Sequence, residues 1–299
     1  DKGIASIYGP SGSGKSFIAL DLMAAVTLNK NFYSSKTKNC AVVYVALEGT
    51  GGIANRIKAY ETYHKLKLPN SFRVVTDQLS LFNSDAEIFA EAIKEEELNK
   101  GVIVIDTLAQ SAPGSDENSS ADMGRIIANS QLLQKATDGL VVLIHHTGKD
   151  SRRGARGHSS FEAALDAAIE VKKTQTGREW RRAKVKDGED GLTYPFSLEP
   201  IVLGIDEDGA EITSCVAVGD LFRVTQPKTP TGRNQRSVLT ALKTTYSTEQ
   251  WVPVDEVHAL AEASLPGQLR NNKQRAKEAV NGLVELGQIE HGGDNYKMP

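Results

Sequence analysis

Residues 9–16 read Gly-Pro-Ser-Gly-Ser-Gly-Lys-Ser, and they lie between an apolar run at 4–8 and a helix-like segment at 17–25. Few local sequences limit a fold so tightly. Three glycines interrupt the change from strand to helix, which requires a tight turn whose backbone N–H groups point inward around an anion. This is the GxxxxGK[ST] phosphate-loop pattern, and it implies a nucleoside triphosphate, ATP, held by Gly9, Pro10, Ser11, Gly12, Ser13, Gly14, Lys15, Ser16 and Phe17. Lys15 is placed to reach the β and γ oxygens, and the Ser16 hydroxyl to ligate Mg²⁺.

Other strand-like runs follow at 42–47, 72–75, 102–105 and 140–144, with helix-period segments between them. Near-continuous apolar strands such as VVYVAL, VIVI and LVVLI fit a mostly parallel sheet covered on both faces, an α/β fold with its ligand edge at the strands' C-terminal ends. Closely spaced strands at 168–172, 180–186 and 194–203 read as an antiparallel extension of that sheet. Residues 226–232, with two prolines and a glycine, read as a linker between a 1–225 ATPase domain and a 233–299 unit. In that last unit, helices at 235–246, from about 255, and at 271–286 precede a Gly-Gly-Asp-Asn turn, a pattern that points to a winged helix. Ala276, Val280, Leu283 and Leu286 form the apolar stripe of its third helix, with Gly287 as the residue after the cap.

Composition excludes more than it assigns. A net charge of −3 gives no global nucleic-acid signature, so any such contact falls to local patches. Cys40 and Cys215 are isolated, without metal-ligand spacing, which suits a reducing cytoplasm. No run reaches the roughly 18 apolar residues of a membrane span, and no secretory signal opens the chain, so a cytoplasmic location without membrane contact is expected. The first strand begins almost at Asp1, so the chain reads as part of something longer.

Asp106 closes the strand at 101–107, where a carboxylate either holds Mg²⁺ together with Ser16 or caps a loop. Glu48 follows the second strand, placed either to orient and deprotonate an attacking water or to sit at the next helix's positive end. His145 and His146 end another strand at the same edge. One imidazole is expected to sense the γ-phosphate; a structural histidine is the other reading, and alternation along a strand disfavours both binding one metal ion. The segment 148–157 carries Lys149, Arg152, Arg153 and Arg156 among glycines. Those cations suit a nucleic-acid backbone, a neighbouring subunit's nucleotide, or plain solvent.

Taken in order, GPSGSGKS, VYVALEG, VIVIDTLAQ and LIHHTGKDSRRGARG resemble the RecA-like ATPases, and in particular the RepA-type plasmid and phage replicative helicases, over residues 3–205. That resemblance implies a DNA-dependent ATP-hydrolysing motor on single-stranded DNA that self-associates into a hexameric ring or a filament with shared active sites. In the related DnaB-type helicases a basic-x-basic-Asn/Asp-Gly hairpin reaches the neighbour's γ-phosphate, and Lys184 and Lys186 fall on those positions. Lys186 stands where that pattern has Arg, so Arg156 and Arg178 are further candidates to act in trans. The other functions the residues admit are a recombination or annealing ATPase and a regulatory DNA-binding ATPase. The C-terminal unit is read either as contacting DNA, through Lys273, Arg275 and Lys277, or as docking a replication partner.

Overall fold

The computed structural model describes residues 2–96, 98, 100–116, 119–147, 159–174, 177–186, 188, 190–219, 230, 232–247, 250–267 and 271–298. It divides into two compact units, residues 1–224 and 225–299. The expected linker at 226–232 lies outside the described residues except for Pro230 and Gly232.

Unit one is built on a nine-stranded sheet: β1 (Gly3–Gly9), β2 (Val42–Ala46), β3 (Phe72–Val75), β4 (Val102–Asp106), β5 (Leu140–His146), β6 (Ala167–Thr174), β7 (Gly177–Val185), β8 (Thr193–Ile205) and β9 (Glu211–Gly219). Their spatial order is β3-β2-β4-β5-β1-β6-β7-β8-β9. Pairings from β3 through to β6 are parallel, and those from β6 through to β9 antiparallel, so the α/β reading with an antiparallel extension holds. The helices are α1 (Lys15–Thr27), α2 (Thr50–His64), α3 (Asp85–Glu95), α4 (Ser120–Thr137) and α5 (Ser159–Ala164). None among the described residues is long and apolar enough to cross a membrane.

Alternation along the buried strands sorts the core into two layers. Ile7, Val42, Tyr44, Val104, Val142 and Ile144 join a cluster with α1 on one face; Ile4, Val43, Ile103, Ile105, Val141 and Leu143 join another with Met123 and Leu133 of α4 on the opposite face. The odd polar group is satisfied within the sheet, as where Ser6 Oγ donates to Leu143 O at 3.0 Å. Helix α1 is apolar nearly all round, which a two-layer packing would leave exposed. The reason is a third layer: β9 packs over it, adding Val216 and Ala217 to the same cluster, with Leu198 of β8 packed against that cluster. Strand β9 was not expected from the sequence, although Asp208-Gly209 between two apolar runs is a hairpin signal.

Unit two contains α6 (Arg233–Thr245), α7 (Val254–Ser264) and α8 (Asn272–Glu285), and β10 (Trp251–Pro253), β11 (Glu290–Gly292) and β12 (Asn295–Lys297) in an antiparallel sheet ordered β10-β12-β11. Its own core gathers Val238, Leu242, Val257, Val280, Leu283 and Tyr296. Gly287, at φ 70°, follows the end of α8, where Gln288 N donates to Leu283 O at 2.8 Å.

The start of β5 is a point of close backbone approach. A Cβ on Gly139 would meet Gly101 O at 1.9 Å, and the flanking Leu140 N donates to that same oxygen at 3.0 Å. Gly139→Ala is expected to destabilise unit one by about 2–3 kcal/mol in urea unfolding, with both strand starts forced apart.

Candidate nucleotide-binding site

The loop leaves β1 at Gly9, where φ is 154° and a Cβ would lie 2.0 Å from Val171 O of β6. It enters α1 through Gly14, whose φ of 105° is left-handed and which offers no side-chain cap to the first turn. The uncapped N–H groups and the helix dipole make that turn attractive to phosphate. Lys15, only 4% exposed, donates through Nζ to Gly9 O at 3.0 Å and Pro10 O at 2.9 Å. Burial lowers its pKa to about 8, against the opposing pull of Asp106 and Glu48.

Asp106, Tyr44 and His146 share the α1 face because their positions along β4, β2 and β5 have the same parity as that layer. Tyr44 OH donates to Asp106 Oδ2 at 2.7 Å. Burial raises the Asp106 carboxyl, partly offset by hydrogen bonds from Tyr44 and Ser16 and by the charge of Arg56. Its other oxygen, Oδ1, is buried with no hydrogen-bond partner, as is Ser13 Oγ in the loop. A buried carboxylate oxygen aimed at no protein donor, beside a serine hydroxyl, fits Mg²⁺, which takes one or two protein ligands and completes its shell with water and substrate phosphate. No group of three acidic, histidine or cysteine side chains among the described residues forms a closed metal cage. A triphosphate with its metal ion would thus be held by the loop amides, Lys15, Ser16 and Asp106.

The two histidines part company. His146 Nδ1 lies 3.0 Å from Lys15 Nζ, and its Nε2 lies 3.2 Å from Glu48 Oε2. An ammonium group only donates, so Nδ1 accepts and Nε2 carries the proton toward Glu48. Thr107 Oγ1 donates to the same Glu48 oxygen at 3.0 Å. Burial alone would raise the Glu48 carboxyl; the hydrogen bonds from His146 and Thr107 and the nearby positive charge outweigh it and hold the group low, in its ionised form. Backbone bonds fix its position, since Leu47 N and Glu48 N both donate to Asp106 O, at 2.6 and 3.0 Å. His145 belongs to the opposite layer, 1% exposed, with its ring 5.8 Å from Phe161. It does not join the cluster around Lys15.

The remaining expected residues are scattered. Lys184 Nζ donates to Glu162 O at 2.7 Å and Lys186 Nζ to Asp166 Oδ1 at 3.2 Å. Asp166 also accepts from Ile4 N, so this pair stands where β1 begins, at the end of the sheet away from the phosphate loop. Arg178 turns up beside the loop of its own chain: a Cβ on Gly14 would meet Arg178 Cδ at 3.4 Å and the Phe196 ring at 3.2 Å. Its Nε is buried with no hydrogen-bond partner. Lys149, Arg152, Arg153 and Arg156 lie outside the described residues. Sequence reasoning missed Tyr44, Thr107 and Arg56, whose guanidinium lies 5.1 Å from the Phe17 ring centroid. A tyrosine inside an otherwise aliphatic buried strand was the available signal for the first.

Fold and site together define a phosphate-loop ATPase of the α/β class. A family model described as an AAA domain matches residues 1–152, just over half of the 299, and the chain belongs to that family. Among solved structures it is similar to one titled "Crystal structure of the RadB recombinase", at 18% identity over 66% of this chain and 87% of that one, with a TM-score of 0.49. No curated protein matches the chain.

Phosphate binding at Lys15 would need its ammonium form, which is lost above a pKa of about 8. Nucleotide affinity, measured by titration with a fluorescent analogue, is therefore expected to be flat below that pH and to weaken toward tenfold per pH unit above it, while Lys15→Ala shows no such slope. The unfolded chain keeps this proton up to 10.5, so the protein without nucleotide should gain stability with rising pH between about 8 and 10.5.

Proposed function

We propose that the chain is the motor subunit of a RepA-type replicative DNA helicase, which hydrolyses ATP with Mg²⁺ and tracks along single-stranded DNA. The observation that carries this reading is the chain of contacts from Lys15 through His146 to Glu48. One imidazole touches both the residue that meets the γ-phosphate and the residue that activates water, and it ends the strand leading into the basic segment 148–157. Loss of the phosphate would change what Lys15 offers to His146, and the strand end would pass that change to the segment proposed to grip DNA.

Bound Mg²⁺ would supply charge neutralisation at the phosphates. Glu48 takes the proton of the attacking water, with Thr107 and His146 fixing its orientation. Lys184 and Lys186, at the far end of the sheet from their own loop, suit contact with the nucleotide of a neighbouring copy in a ring or filament, which makes self-association part of the proposal. In unit two, three helices and a small antiparallel sheet support the winged-helix reading; of Lys273, Arg275 and Lys277, the two lysines are exposed along α8 as a surface for duplex DNA or for a replication partner, while Arg275 is half-buried and donates to Asn272 Oδ1 and Asn234 Oδ1.

Steady-state ATP hydrolysis with and without single-stranded DNA tests the motor, with Lys15→Ala as the blank. Stimulation of about tenfold or more is expected, and forked-duplex unwinding should follow it. His146→Ala is expected to bind nucleotide nearly as well as the parent yet lose at least about tenfold in turnover and most of the stimulation. His145→Ala, which empties a packed site, should cost stability instead. Replacing Arg152 and Arg153 by alanine should weaken single-strand binding and flatten its salt dependence. Stimulation without unwinding would instead support an annealing or recombination ATPase, and hydrolysis indifferent to DNA would count against a motor of either kind.

A further inference from the structure

After Phe196, strand β8 parts from β7 and continues paired only with β9, a two-stranded ribbon of nine residues spanning roughly 30 Å. In its near part Val216 and Ala217 of β9 are buried over the helices, and in its far part Lys58 Nζ of α2 donates to Leu203 O at 3.1 Å. The apolar side chains of the far part are nevertheless open: Val202, Ile205 and Ile212 are 52%, 68% and 37% exposed. Ile212 pairs with Gly204, which has no side chain to cover it. The turn beyond is acidic, with Asp206, Glu207, Asp208 and Glu211 all exposed. It is also well ordered by its own bonds, since Asp206 Oδ1 accepts from Asp208 N at 3.0 Å and from Ala210 N at 2.8 Å. Exposed apolar side chains on an edge ribbon ordinarily mark a surface that another chain covers.

A surface of matching chemistry exists on the same unit. At the N-terminal ends of β1, β2, β4 and β5 lies a cavity of about 670 Å³, with Val26 and Leu140 in its lining and Lys2, Lys38 and Lys100 around it. The one acidic group among its described lining residues, Asp138, is taken by Lys2 at 2.7 Å. Lys38 and Lys100 make no ion pair among the described residues. Lys100 is held in place by its backbone, at φ 58° with its N–H donating to Thr137 O at 2.6 Å. A net-positive rim, three lysines against one aspartate, beside the apolar Val26 and Leu140 is the complement of an apolar ribbon with an acidic tip.

We propose that the β8–β9 tip of one copy docks into this lysine-rimmed cavity of a second copy, Ile205 meeting the apolar lining and the tip carboxylates pairing with Lys38 and Lys100. Two different patches of one chain meet, so the contact is heterologous and propagates into a ring or a filament. The cavity lies at the same end of the sheet as Lys184 and Lys186, so a copy docked there would approach those cations as well. The inference rests on the self-association proposed above and names the surfaces that carry it.

Sedimentation of the full chain without DNA, across a concentration series, tests it. The parent should assemble, and less so at high salt. Asp206→Lys with Asp208→Lys, and separately Lys38→Glu with Lys100→Glu, should each weaken association by about tenfold or more. Nucleotide affinity, to which none of these four residues contributes, should stay unchanged and so report a folded unit. Combining all four reversals in one chain should restore assembly, which a general loss of fold would not allow. An assembling parent whose reversals change nothing, or a four-fold variant that stays apart, would overturn these docking surfaces and leave self-association standing. A parent that stays monomeric with ATP and Mg²⁺ present would overturn both.

Discussion

In a buried parallel strand each successive side chain enters the opposite layer, and most of what the site can do follows from that alternation. Parity places Tyr44, Asp106 and His146 in the layer of α1, and sends His145 to the layer of α4 with Phe161. The adjacent histidines therefore meet different surroundings, one polar and partly open, the other packed among apolar groups. A slip of one residue in the register of β5 would exchange them and dismantle the contacts around Lys15.

Electrostatics then divides the labour at the sheet edge. Asp106 and Lys15 are both buried, and burial works against the charge of each. One Asp106 oxygen lacks a donor, while the three Lys15 donors reach only acceptors without net charge, two carbonyls and His146 Nδ1. Such a site is costly to form and gains most from a ligand carrying both negative charge and a cation. Glu48 is different, being half exposed and held low by hydrogen bonds, so that it stays ionised without a ligand.

Much of this was legible in the sequence, because the phosphate loop, the apolar strands and the carboxylate ending β4 are each encoded within a few consecutive residues. What escaped was the part set by distant segments. Strand β9 is polar and exposed over its first half, so its alternation is weak, and its role as a cover for α1 appears only when the sheet curls. Arg178, one of the candidates to act on another subunit, stands beside Gly14 of its own loop through hairpin pairing across β7 and β8, a placement no local pattern states. Choosing between the two histidines needed the register of β5 against β1 and β4, which no local pattern states.

The carbonyl of Asp106 accepts from the backbone of both Leu47 and Glu48, while the side chain of the same residue keeps one buried oxygen without a hydrogen-bond partner. One residue thus serves as a common pivot for two neighbouring strands. Because Glu48 hangs by its own N–H from the Asp106 carbonyl, a shift at the end of β4 would carry Glu48 with it, and the two carboxylates would move as a pair. On the other side one ring, that of His146, touches both Lys15 and Glu48, so its rotation would break both contacts at once and leave the Asp106 pivot in place.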